Sequence, residues 1–167
     1  MEVSPAHDTF TGPTSNCTIQ IKPLDFTDLM VGKKTEAEYL GGKSPEDASK
    51  FNSDKEQAAA SFVAATVNQA QPFASAAPNP SATWTGFVHV TMWDPGYYIG
   101  ISSKPAKMDL TYQIQDQSGK VVEQWSEHMT PSAGAFTATA SGRMQLGGRL
   151  AGEVFGRMIQ RQFQCGK

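Results

Sequence analysis

The sequence predicts an α+β domain, a two-layer sandwich in which two long helices cover one face of a four-stranded sheet. Three observations carry that prediction: period-2 apolar alternation at 18–26, 84–93 and 108–115, apolar stripes at three- and four-residue steps over 58–66 and 144–159, and the order in which they occur. Strand, helix, three strands, helix (β-α-β-β-β-α) places both helices on the apolar side of one sheet. A chain of 167 residues has room for one such core and not for two.

Residues 1–16 are polar, broken by Pro5 and Pro13, and read as a flexible lead-in to a single domain over 17–167. Ile19 and Ile21 alternate with Gln20 and Lys22 in the first strand, which Pro23 limits. Ser44 before Pro45, Glu46 and Asp47 starts a short helix, and the box Ser53-Asp54-Lys55-Glu56 starts a second. On that second helix Ala58, Ala59, Phe62, Val63 and Thr66 form the buried face to about residue 70. Residues 71–82 hold three prolines among Ala, Ser and Asn, an exposed connection.

The run 84–93 is rich in β-branched and aromatic residues. Strict alternation places Val88, Val90 and Met92 with Ile19, Ile21, Leu110, Tyr112 and Ile114 under the helices. It places Phe87, His89, Thr91 and Trp93 on the opposite face. Asp94-Pro95-Gly96 makes a turn, and Asp116-Gln117-Ser118-Gly119 is a hairpin into a fourth strand over 120–128. After a loose stretch at 131–140, Ser141 caps a final helix of about 23 residues. Met144, Leu146, Leu150, Val154, Phe155, Met158 and Ile159 fill its buried half, with Arg149, Glu153 and Arg157 as an exposed ridge.

Fourteen Lys and Arg against sixteen Asp and Glu give a net charge of −2. That balance carries no electrostatic footprint for nucleic acid and no polybasic patch for anionic lipid. No apolar run reaches the roughly 20 residues needed to span a bilayer. The start Met1-Glu2-Val3-Ser4 is not that of a signal peptide, which fits a cytoplasmic protein or a mature exported domain. Cys17 and Cys165 stand far apart, excluding a clustered metal site and leaving either a disulfide between the ends of the domain or two unrelated thiols.

No nucleophile motif accompanies the histidines, and the strand neighbours of His89 are apolar or hydroxylic, so packing explains it better than catalysis. Gly147-Gly148 follows a helical turn and not a strand, which makes close packing against the sheet a better reading than a phosphate loop. Asp25, Asp28, Glu36 and Glu38 lack calcium-loop spacing. No metal and no cofactor are expected. The stretch 93–101 concentrates aromatic and aliphatic residues around a turn, where they either fold over the open sheet face or meet a partner. Phe87, His89, Trp93, Tyr97 and Tyr98 are therefore the candidate binding residues.

Met92-Trp93-Asp94-Pro95-Gly96-Tyr97-Tyr98-Ile99-Gly100, the strand at 108–116, Ser118-Gly119-Lys120-Val121-Val122-Glu123 and the helix entry Ser141-Gly142-Arg143 resemble bacterial envelope lipoprotein families of undefined function. In layout these are similar to the N-terminal domain of TolB and to lipoproteins that activate penicillin-binding proteins. The resemblance implies a periplasmic or outer-membrane-associated module, non-enzymatic, that binds an envelope protein or polymer or a second copy of itself. Membrane attachment would then come only through an N-terminal lipid anchor absent from this chain. The alternative is a small-ligand or enzyme domain with a pocket between the Tyr97-Tyr98 loop and the His89 face.

Overall fold

The computed structural model describes residues 18–70, 74–76 and 81–163, so Cys17, Cys165 and the lead-in lie outside the described residues. The chain forms β1 (Ile19–Ile21), β2 (Met30–Val31), β3 (Lys34–Thr35), α1 (Glu36–Leu40), α2 (Pro45–Gln69), β4 (Ala74–Ser75), β5 (Trp84–Asp94), β6 (Tyr97–Tyr98), β7 (Ser103–Lys104), β8 (Lys107–Asp116), β9 (Val121–Met129), a 3-10 turn (Ala135–Thr137) and α3 (Ala140–Phe163).

The fold is α+β with a mixed sheet, and that sheet has seven strands where four were expected. Its spine is β5. On one edge of β5 the incoming chain runs parallel to it in pieces, as β1, a single bridge between Asp25 and His89, and β2. On the other edge β8 and then β9 pair antiparallel. The expected first strand is thus real but interrupted at Pro23, and the short edge strands β3 and β4 complete the count. β6 and β7 form a separate hairpin.

One face of β5 and β8 buries Trp84, Val88, Val90, Leu110, Tyr112 and Ile114 against the helices, as alternation predicts. The alternation then breaks. Val90 pairs with Leu110 but Met92 pairs with Asp109, so Thr91 is an extra residue, a β-bulge. A bulge shifts every later side chain to the other face. Trp93 therefore enters the core opposite Met108, and Met92 turns out half-buried beside Asp109, the reverse of the expected assignment.

Ser44 caps α2, accepting from the Asp47 N–H at 3.1 Å, with Pro45 at the first helical position. The helix then runs on unbroken through Ser53, because a capping-box pattern starts a helix only where the preceding backbone is not already helical. The cap of α3 is Thr139, whose hydroxyl accepts from the Gly142 N–H at 3.0 Å, and not Ser141. Leu146 and Leu150 are half-buried, at the margin of the core rather than inside it.

The two long helices touch along their backbones. A methyl group at Gly148 would lie 2.3 Å from the Ala58 carbonyl oxygen, and one at Gly152 would lie 2.3 Å from that of Phe62. At Gly156 it would meet the Thr66 carbonyl oxygen at 2.9 Å. Gly147 alone faces the sheet, against Met108, so only half of the glycine pair does what was expected of it. Gly152→Ala gains about 1 kcal/mol of helix propensity. The methyl must nevertheless push two helices apart, and the net expected result is a loss of about 1–3 kcal/mol. A urea midpoint that rises instead would contradict the backbone contact.

Glu127, on the core-facing side of β9, is half-buried, and burial holds its carboxyl above its ordinary value. An inward charge on an edge strand discourages pairing with another sheet, so the β9 edge is a poor docking surface.

Candidate functional site

The predicted site residues separate into three places. Trp93 is core. Phe87 and His89 are half-buried on the helix-free face of the sheet, where a polar ladder surrounds them. There the Gln113 amide donates to Gln124 at 2.8 Å, Thr111 and Ser126 hydroxyls meet at 3.3 Å, and His128 pairs with the Asp109 carboxylate. His89 Nε2 lies 2.5 Å from the Thr27 carbonyl oxygen. Neither histidine holds a nucleophile, and the ladder satisfies its own polar groups.

Tyr97 and Tyr98 stand elsewhere, on the hairpin that leaves the far end of β5. Opposite Tyr97 is Lys104 and opposite Tyr98 is Ser103, and the Ile99 N–H closes the tip by donating to the Ser102 carbonyl at 3.0 Å. Tyr97 is 45% exposed, Ile99 67% and Ile101 98%. They do not fold over Phe87.

The base of the hairpin is fixed by the residues that the turn reading singled out. Asp94 accepts from the Gly96 N–H at 3.0 Å and from Lys104 Nζ at 2.9 Å. Burial works to raise the Asp94 carboxyl, but those two donors and the charges of Lys104 and Lys107 outweigh it and hold it below its ordinary value. Gly96 has φ +60°, and a Cβ there would lie 2.2 Å from the Lys104 carbonyl oxygen, so no other residue fits.

The residue that sequence reasoning missed is Arg143. It is buried on the first turns of α3, and its guanidinium donates to the carbonyls of Pro95 at 2.5 Å, Thr137 at 2.9 Å and Ala138 at 2.7 Å. Burial lowers its pKa from the ordinary value, yet an arginine stays charged at any physiological pH. A cation held by carbonyl dipoles ties the 95–96 turn to the 3-10 turn at Ala135–Thr137. That stretch was expected to be loose. Its Phe136 is fully solvent-exposed and joins Tyr97, Ile99 and Ile101 at the same end of the molecule.

Arg143→Met would leave three carbonyls without their donor, an expected cost of about 1–3 kcal/mol. Backbone hydrogen exchange should accelerate at 95–104 and 134–140 together. Unchanged exchange in either stretch would show that Arg143 does not clamp it.

Beside this end lies a cavity of about 180 Å³, lined by Tyr39, Phe51, Trp93 and Met144 together with two lysines, Lys43 and Lys50, and two carboxylates, Asp47 and Asp54. The Ser141 hydroxyl faces no hydrogen-bond partner there although its oxygen is buried. The cavity opens on the helix side of the Asp94-Pro95-Gly96 turn, not between Tyr97-Tyr98 and His89 as the pocket alternative expected. Among the described residues no group of three or more His, Cys, Asp or Glu could hold a metal, and no helix is long and apolar enough to cross a membrane.

No protein-family model matches the sequence, and no curated protein matches it. Among solved structures the chain is similar to a Xanthomonas campestris protein of family DUF330, at 15% identity over 88% of this chain and 85% of that one, with a TM-score of 0.50. The two share a fold. An uncharacterized protein aligns at 13% identity over 88% of this chain and 94% of its own, with a TM-score of 0.48. A PelC dodecamer from Paraburkholderia phytofirmans aligns at 13% identity over 80% of this chain and 84% of its own, with a TM-score of 0.40. At these identities likeness speaks to architecture, and function has to be argued from the site.

Proposed function

We propose that this chain is a non-enzymatic binding or assembly module of the bacterial cell envelope, periplasmic and lipoprotein-like, that works through its apolar loop end. One observation carries the reading: Tyr97, Ile99, Ile101 and Phe136 project into solvent from two loops that Asp94, Lys104 and Arg143 hold rigid. Ordered large apolar side chains without cover mark an interaction surface, and rigid presentation lowers the entropy cost of docking. The envelope setting rests on the sequence resemblance, and the fold shared with the Xanthomonas campestris protein is compatible with it. The partner is an envelope component or a second copy of the chain. Described strand β1 begins beside Trp84, at the opposite end of β5, about 35 Å from the loops at the usual rise per residue. The loop end therefore points away from the start of the domain.

The test is fractionation of the native host. The wild-type chain is expected to associate with envelope membranes, and Ile99→Ser/Ile101→Ser is expected to lose that association while keeping its thermal midpoint. Retention of the double variant on the envelope would overturn the reading.

A second reading is favoured by the unpartnered Ser141 hydroxyl, which suits a small polar ligand in the cavity that Lys43, Asp47, Lys50 and Asp54 line with both signs of charge. A ligand screen by thermal shift on wild type and Lys50→Ala separates it from the first, because cavity binding leaves Ile99 and Ile101 irrelevant.

A further inference from the structure

Resting on the loop end as the working surface, we propose that its partner is the interface of an anionic lipid bilayer, into which the hairpin tip and Phe136 insert shallowly. The order of side chains along the hairpin points there. Ile99 and Ile101 form the tip, the pair Tyr98 and Ser103 stands behind them, and Tyr97 opposite Lys104 one pair further back. This is the sequence of environments across a membrane boundary: aliphatic groups in the acyl region and an amphipathic ring at the headgroups.

Charge agrees with geometry. The loops at this end, residues 95–108 and 130–142, contain Lys104 and Lys107 and not one Asp or Glu, although the chain as a whole is acidic at −2. Asp94, at the base, takes up the charge of Lys104, which leaves Lys107 as the cation these loops offer to an anionic surface. On the neighbouring edge the turn after β2 adds Lys33 beside Trp93, since the Gly32 N–H donates to the Trp93 carbonyl. The depth is limited to the headgroup and upper acyl region, because the backbone of the 99–102 turn keeps polar groups that hydrocarbon cannot satisfy.

The experiment is co-sedimentation of the full chain with vesicles of phosphatidylglycerol and phosphatidylcholine, and with phosphatidylcholine alone. Binding to the anionic vesicles is expected, weakened severalfold in neutral vesicles and by Lys107→Glu. At least a tenfold loss is expected for Ile99→Ser/Ile101→Ser/Phe136→Ser, whose exposed positions leave the melting temperature unchanged. Absence of wild-type binding to anionic vesicles, or equal binding by the triple variant, would overturn the inference. If the chain then still associates with native envelopes through Ile99 and Ile101, the loop end serves a protein or polymer and only the lipid assignment falls. Loss of both would take the proposed function with it.

Discussion

Trp93→Ala is expected to destabilise the domain by about 3–5 kcal/mol, the range for emptying a large aromatic site in a core. Trp93 is 1% exposed, opposite Met108 on β8 and alongside Val31 on β2, and it forms a wall of the cavity beside Phe51 and Met144. Its removal should act on folding and not on recognition. Urea unfolding measures the loss, and the envelope fractionation of variant protein that remains folded should match wild type. A small change in midpoint with a lost association would return Trp93 to the surface and remove the Thr91 bulge from the account.

Phe155→Ala should cost a similar amount, about 3–5 kcal/mol. Its ring sits where both helices meet the sheet, 6.0 Å from Phe62 on α2, 5.4 Å from Tyr112 on β8 and 6.0 Å from Trp125 on β9. Beneath it, Gly86 on β5 leaves no room for a side chain: a Cβ would lie 2.7 Å from the Phe155 ring. Four elements thus converge on one residue of α3. Phe155→Leu, keeping much of the volume, should recover part of the loss, and calorimetry of the two variants would show it. Equal midpoints for Phe155→Ala and wild type would mean that the helix layer is not seated on the sheet in this way.

The fold was legible because alternation and three-to-four spacing are set by burial, and burial follows residue type closely at Ile19, Val88, Leu110 and Phe155. The bulge was not legible, since Val90, Thr91 and Met92 are all acceptable in either parity of a strand. Size offered a hint, because a tryptophan gains more from burial than a methionine two positions from a turn. Glycines at 148, 152 and 156 repeat at four residues, a period that turns one face of α3 into a groove for α2, but the adjacent pair at 147 and 148 masks that period in the sequence. In the candidate site Tyr97 and Tyr98 were visible as apolar residues beside a turn. Phe136 was not, because it sits among Ala, Thr and Gly, and only the long-range bonds of Arg143 bring it to the hairpin. Such contacts leave no local trace in a sequence.

Hydroxyl-radical footprinting of the chain on and off native envelope membranes tests the central claim most directly, because it reads individual side chains. The account predicts protection of Tyr97, Ile99, Ile101 and Phe136 on the envelope, with Phe87, His89 and Met92 on the open sheet face labelled equally in both states. Protection of the sheet face with the loop end still fully labelled would contradict it.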